Sequence, residues 1–232
     1  MKSFLLMFFA SFCCFIANAQ NLPLVDAKPA HFGFNLGVNV MDFGIRNSML
    51  VQDGVVYQAE VSSLMPGFSV GVFGDVRLGK YFNMRLVPTL SLGDRTLVYM
   101  NDKNSDIYKT TIKSTMLTVP LHFKYSSVRI KNYRVYMFAG GGVLFELSHD
   151  QTKAVLSKYF DYFVEFGVGW TIYTEYFRLA PEIKFLMGFN NMLTPWEKRL
   201  SHEGYVDPAF EPYTRGLDRL TSRMFTFVLN FE

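Results

Sequence analysis

Phe32-Gly33-Phe34-Asn35-Leu36-Gly37-Val38-Asn39-Val40 alternates without a break between large apolar residues and small or polar ones. A period of two places Phe32, Phe34, Leu36, Val38 and Val40 on one face of a β-strand, and Gly33, Asn35, Gly37 and Asn39 on the other. The same pattern recurs, giving eight strands in all. The second covers about 68–78, with Phe68, Val70, Val72, Val76 and Leu78 against Ser69, Gly71, Asp75 and Arg77. The third sets Phe82, Met84, Leu86, Pro88, Leu90 and Leu92 against Asn83, Arg85, Thr89 and Ser91. The fourth, about 115–125, has Leu117, Val119, Leu121, Phe123 and Tyr125 on its apolar face and Thr118, Pro120, His122 and Lys124 on the other.

The fifth strand, about 134–147, is apolar on both faces. Turning Arg134 and Glu146 inward puts Val135, Met137, Ala139, Val143 and Phe145 outside. The sixth (162–172), seventh (177–187) and eighth (225–231) alternate cleanly, with Asp161, Glu165, Arg178, Glu182 and Lys184 on the polar side. No Asp, Glu, Lys or Arg falls on any of the eight apolar faces. A charge at the bilayer midplane costs a barrel about 2–4 kcal/mol, so lipid outside and a polar interior explain this absence. A soluble barrel of the lipocalin kind requires the reverse polarity. The predicted fold is all-β: an eight-stranded antiparallel up-and-down transmembrane β-barrel, OmpX/OmpA-like. Its connections alternate between short turns (Gly79-Lys80, 126–133, 174–176) and long extracellular loops, which puts both termini in the periplasm. Pro88, Pro120 and Pro181 each lack a ladder donor and predict bulges or kinks.

The amino terminus reads as a targeting signal. Lys2 precedes the apolar run 4–16, and Ala17-Asn18-Ala19 fits a cleavage site. Residues 1–19 are therefore assigned to a signal peptide and 20–232 to one barrel domain of the cell outer membrane. The only cysteines, Cys13 and Cys14, lie in the signal, so the barrel domain has no disulfide. The full chain carries a net charge of +3 and shows no basic stripe, so nucleic acid is not an expected partner. Aromatic residues make up 17% of the chain, a content that suits girdles at two lipid interfaces.

The inward positions gather charges of both signs in near balance. An eight-stranded barrel encloses only enough room for side chains, so a lumen plugged by ion pairs among Arg85, Glu165, Glu182 and Lys184 is expected in preference to a pore. His149-Asp150 and Ser201-His202-Glu203 have acid–base residue types, but adjacency in sequence supplies no base within reach of a nucleophile and no third orienting group. No catalytic residue, metal-ligand spacing or cofactor motif is assigned. Asp53-Gly54 marks a hairpin that extends strands one and two, and 97–108 extends strands three and four likewise. The longest loop, about 189–221, holds Trp196, Tyr205, Phe210 and Tyr213 among charges. These aromatics suit a partner-binding surface or, equally, rings resting at the lipid boundary.

The stretch Leu117-Thr118-Val119-Pro120-Leu121-His122-Phe123-Lys124-Tyr125 resembles the strand pattern of the PorT-like β-barrel family of Bacteroidota. Ala180-Pro181-Glu182-Ile183-Lys184-Phe185, running on to Asn190-Asn191, resembles it too. So does the tail from Leu217-Asp218-Arg219-Leu220 to Phe231-Glu232. The resemblance implies a non-enzymatic outer-membrane component of the type IX secretion system. Such a component is required for export of proteins with C-terminal sorting domains and for gliding motility in motile relatives, and it contacts other secretion components. The family supplies no catalytic residues. The alternative from a different class is a general OmpX-like surface barrel for adhesion or envelope stability.

Overall fold

The computed structural model describes residues 22, 25–49, 51–52, 55–101, 104–148, 158–194 and 211–232. Eleven strands form one hydrogen-bonded sheet that closes on itself as a ring of eight staves. The first stave is β1 (Ala30–Asn47). A short β2 (Val51–Gln52) leads into β3 (Val55–Leu64), which with β4 (Pro66–Arg77) makes the second stave. The third is β5 (Phe82–Leu86) plus β6 (Thr89–Asn101), and the fourth is β7 (Asn104–Ser126). β8 (Tyr133–Glu146), β9 (Phe160–Tyr173), β10 (Arg178–Gly188) and β11 (Leu217–Phe231) complete the ring. A five-residue helix, α1 (Glu211–Arg215), precedes β11.

Closure comes from β1, which pairs antiparallel with β4 on one side (Leu36↔Val70) and with β11 on the other (Val38↔Phe227). The sheet thus has no open edge along its central belt, as a lipid-spanning sheet requires. The facing predicted from alternation holds around the ring. Phe32 is 76% exposed on the outer surface, whereas Asn35 and Asn39 are fully buried. The doubly apolar fifth strand, β8, also faces as expected, with Val135 and Met137 outside and Tyr136 and Phe138 inside. Outward rings gather at both ends. Phe82–Tyr125 and Phe34–Phe231 sit at 5.2 and 5.1 Å at the turn end, and Phe145–Phe160 at 5.3 Å at the loop end. On β8 the span from Tyr133 to Phe145 corresponds to roughly 30 Å along the axis at the usual rise and tilt of barrel strands, the height of an apolar belt with its girdles.

The strands run further than the apolar faces alone indicate. β11 begins at Leu217 rather than near Phe225, which shortens the preceding loop. β6 and β7 continue to a tip where Asn101 faces Asn104. The reason is an inversion of polarity. Above the belt, the cross-strand pairs Asp42↔Arg223 and Asp94↔Lys113 occupy the outer face, while Phe43, Leu97, Ile112 and Leu220 are buried inside. The staves therefore change from a lipid-facing barrel to a water-facing one part-way along their length. Asp53 and Gly54 lie outside the described residues; the strands on either side of them pair as Gln52↔Val55, β2 with β3, not the first stave with the second. Above Val40, β1 pairs only with β11, and β3 pairs with β6.

The prolines behave unequally. Pro88 separates β5 from β6, and the β9–β10 ladder skips Ala180 and Pro181. Pro120, against expectation, sits in unbroken register opposite Gly142. Its carbonyl accepts from Val87 N at 3.2 Å, so its missing N–H points at the Val87-Pro88 break, where no acceptor is wasted.

Candidate functional site

The lumen is filled in three levels. The central level is an ion-pair layer built by inward positions of β4, β5, β7, β8, β9 and β10. Arg85 donates from Nε to Asp75 Oδ2 at 3.0 Å and from Nη1 to Glu182 Oε1 at 2.5 Å. Tyr136 Oη donates to the same Glu182 oxygen at 2.5 Å. Lys184 Nζ stands 3.8 Å from Glu165 Oε1, and His122 Nε2 is 2.7 Å from Glu165 Oε2. Asp75 is also met by Asn83 Nδ2 at 2.5 Å and Lys124 Nζ at 3.6 Å. The Arg85 guanidinium lies 4.8 Å from the Phe73 ring centroid and 5.7 Å from that of Tyr136, so its faces as well as its edges are satisfied.

Two glycines make room for this layer. Gly169 and Gly167 of β9 oppose Tyr136 and Phe138 of β8. A Cβ on either would come within 2.6 Å of the facing aromatic ring, so glycine lets the rings lie flat against the wall.

The structure thus pairs Arg85 with Glu182 and Lys184 with Glu165, and ring contacts from Tyr136 through Phe138 to His122 run between the two pairs. His122, Tyr136, Asp75 and Phe73 carry no local sequence signal for their part in this layer. Strict alternation placed His122 and Asp75 inside, but nothing local names their partners 43 and 10 residues away. His122 and Glu165 are both buried within this layer, where they satisfy one another.

Towards the loop end the filling turns apolar. Met41, Met116, Leu144, Phe163, Leu186, Met192 and Met224 form one buried cluster. Arg95 is buried beside it, 4.3 Å from the Phe43 ring centroid and 3.7 Å from Glu146 Oε2. A further two-residue continuation of the alternation through Ser91 and Gly93 would have placed Arg95 inside. Above it, Tyr213 of α1 stacks on Tyr108 at 4.8 Å and meets Tyr99 and Tyr57 edge-on at 5.1 and 5.5 Å. Tyr213, predicted as part of a partner-binding loop, is therefore packed against this cap. Burial pushes its hydroxyl pKa up from the ordinary value, and Tyr57 and Tyr108 push it the same way. Trp196, Tyr205, Phe210, His149, Asp150, Ser201, His202 and Glu203 lie outside the described residues, as does the segment 1–19.

At the turn end the filling is polar and open. A cavity of about 30 Å³ is bordered by Arg77, Lys80, Arg85, Lys124, Arg134 and Arg178. The 3₁₀ turn Val25–Ala27 places Asp26 on its border, among these cations. Asp26 Oδ1 accepts from Tyr173 Oη at 2.6 Å and stands 3.5 Å from both Arg134 Nη1 and Arg178 Nη1, with Arg129 Nη1 3.5 Å from Oδ2. Arg178 also pairs with Glu232, which His31 Nδ1 meets at 2.8 Å. Among the described residues, no group of three or more His, Cys, Asp or Glu side chains is arranged to hold a metal ion.

A closed ring with a lipid-type exterior and a side-chain-filled interior defines an outer-membrane β-barrel. The chain belongs to the family described as "Outer membrane protein beta-barrel domain", whose model matches residues 18–194. Among solved structures it is similar to the outer membrane protein OprG from Pseudomonas aeruginosa. The two are 9% identical with a TM-score of 0.49, covering 92% of this chain and 96% of that one. It is also similar to Neisserial surface protein A (NspA), at 9% identity and a TM-score of 0.41, covering 88% and 98%. No curated protein matches the chain in sequence.

Proposed function

We propose that this protein is a non-enzymatic outer-membrane component of the type IX protein secretion system, PorT-like, required for export of proteins with C-terminal sorting domains. On this reading it acts by contact with other secretion components and not by conducting solutes. The observation that carries the mode of action is the filling of the lumen by side chains: the Arg85–Glu182 layer and the Tyr213 cap stand in the barrel at two separate heights. The particular system rests on the resemblance of 117–125, 180–191 and 217–232 to the PorT-like family. The turn end, with the termini, faces the periplasm, and the loop end faces outward. Deleting the gene is expected to abolish surface delivery of sorting-domain substrates, with recovery on complementation. Intact delivery in the deletion strain overturns the reading.

A second reading is a general surface barrel serving adhesion or envelope stability. The extension of β3, β6 and β7 beyond the Asp94–Lys113 charge pair favours it, because that extension offers a rigid sheet outside the lipid belt. It predicts binding to surface ligands together with normal secretion in the deletion strain.

A further inference from the structure

The turn-end vestibule carries an excess of positive charge that the ion-pair layer does not consume. Outside the ion-pair layer that holds Arg85, Lys124 and Asp75, its border has Arg77, Lys80, Arg134 and Arg178 against two carboxylates, Asp26 and Glu232. Asp75 is committed to Arg85, Lys124 and Asn83, and Glu232 to His31 and Arg178. Asp26 is the carboxylate that Arg134 meets, while Arg134 also donates to Ser127 O at 2.9 Å and Lys80 O at 3.3 Å; the Arg77 guanidinium reaches Gly79 O at 3.1 Å and Asp26 O at 2.8 Å.

Asp26 differs from the other two carboxylates in how it is held. Asp75 and Glu232 belong to, or directly follow, barrel strands. Asp26 rides on one three-residue turn ahead of β1, and its side chain keeps 26% exposure. A single 3₁₀ turn has little stability of its own, and polar contacts hold this one to the barrel, Arg77 Nη1 to Asp26 O at 2.8 Å and Arg129 Nη1 to Leu22 O at 3.2 Å, which an anion bound by the same arginines would weaken. The carboxylate has one short hydrogen bond, from Tyr173, while its three arginines stand back at 3.5 Å. The contacts are those of a carboxylate ligand in a recognition site, supplied here by the chain itself.

We propose that the vestibule is an anion-binding site for a carboxylate or phosphate group, and that Asp26 occupies it as a tethered competitor. An incoming anionic group takes the place of the Asp26 carboxylate beside Tyr173, Arg129, Arg134 and Arg178, while the 3₁₀ turn swings away. The free volume admits only the head of such a ligand, so the rest of the molecule lies outside the mouth. Paired guanidinium groups favour a planar or tetrahedral oxyanion over a halide, because they donate in a fixed fork. The inference stands apart from the secretion role and from the compartment that the turn end faces.

The test is calorimetric titration of the folded, detergent-solubilised full chain with succinate, inorganic phosphate and a hexaglutamate peptide, each as a separate arm. Asp26→Asn keeps the shape of the turn and removes the competitor. If Asp26 fills the site nine times in ten, the variant binds about tenfold more tightly than the wild type. Arg129→Gln and Arg134→Gln, added to Asp26→Asn one at a time, are each expected to weaken that binding. The two positions are independent, so one misfolded variant leaves the other to report, and folding is checked by gel mobility without boiling. Peptide preferred over succinate assigns the group to a protein side chain. Succinate or phosphate bound as well as the peptide assigns it to a free anion. No gain on Asp26→Asn, or binding indifferent to both arginines, overturns the proposal.

Discussion

Arg85 and Glu182 stand 97 residues apart in sequence, yet their side chains meet at 2.5 Å in the middle of the barrel. The contact ties the third stave to the seventh straight across the lumen, with no ladder between them. Removing one partner of a buried pair leaves an uncompensated charge, which costs about 3–5 kcal/mol. Arg85→Ala and Glu182→Ala are each expected to lose stability on that scale in urea unfolding of the refolded barrel. Arg85→Ala combined with Glu182→Ala is expected to lose less than the sum of the single changes. Strict additivity would show that the two charges do not interact.

Gly169 offers a second point of leverage, because it lets the Tyr136 ring lie against the wall and reach Glu182. Gly169→Val is expected to cost about 1–3 kcal/mol by overpacking, and also to break the Tyr136–Glu182 hydrogen bond. Adding Tyr136→Ala to the valine variant should recover part of the loss in the same unfolding assay.

The outer face discriminates between the two polarity zones. Val168 lies within the apolar belt, whereas Lys113 lies above it, paired with Asp94. Val168→Arg is expected to cost about 2–4 kcal/mol in lipid vesicles. Glu60→Arg, at an exposed position of β3 beyond the belt, is expected to be near neutral. Equal costs at the two positions would mean that the boundary has been drawn at the wrong height.

Tyr213 holds α1 onto the loop-end cap through Tyr57, Tyr99 and Tyr108. Tyr213→Ala is expected to raise amide exchange in α1 and at the start of β11, and to cost about 2–4 kcal/mol through lost aromatic burial. Exchange in the lower half of β11 should stay unchanged, since Thr226 and Val228 are packed well below the cap.

Much of this fold was legible in alternation alone, because lipid and a narrow lumen impose opposite demands on successive side chains. Phe32 to Val40 faces as its pattern predicts, and the seam Val38↔Phe227 follows from closing a ring of eight. The upper halves of the strands were harder to read. There the inward residues become Phe43, Leu97 and Ile112 while charges move outside, so a reading keyed to one apolar outer face stops short. Charge sign and inward parity picked out Arg85, Glu165, Glu182 and Lys184, but the arrangement of Asp26 was invisible. That residue lies outside every strand, and its partners Arg129, Arg134, Tyr173 and Arg178 come together only when the turns converge.

The proposed action by contact, and not by conduction, requires a closed lumen. Single-channel recording of the purified protein in planar bilayers tests it most directly. Closed ion-pair and aromatic levels predict currents indistinguishable from those of lipid alone, for the wild type and for Tyr213→Ala, in which the Arg85–Glu182 layer stays in place. Stable, solute-permeable conductance steps from the wild-type protein would contradict the account.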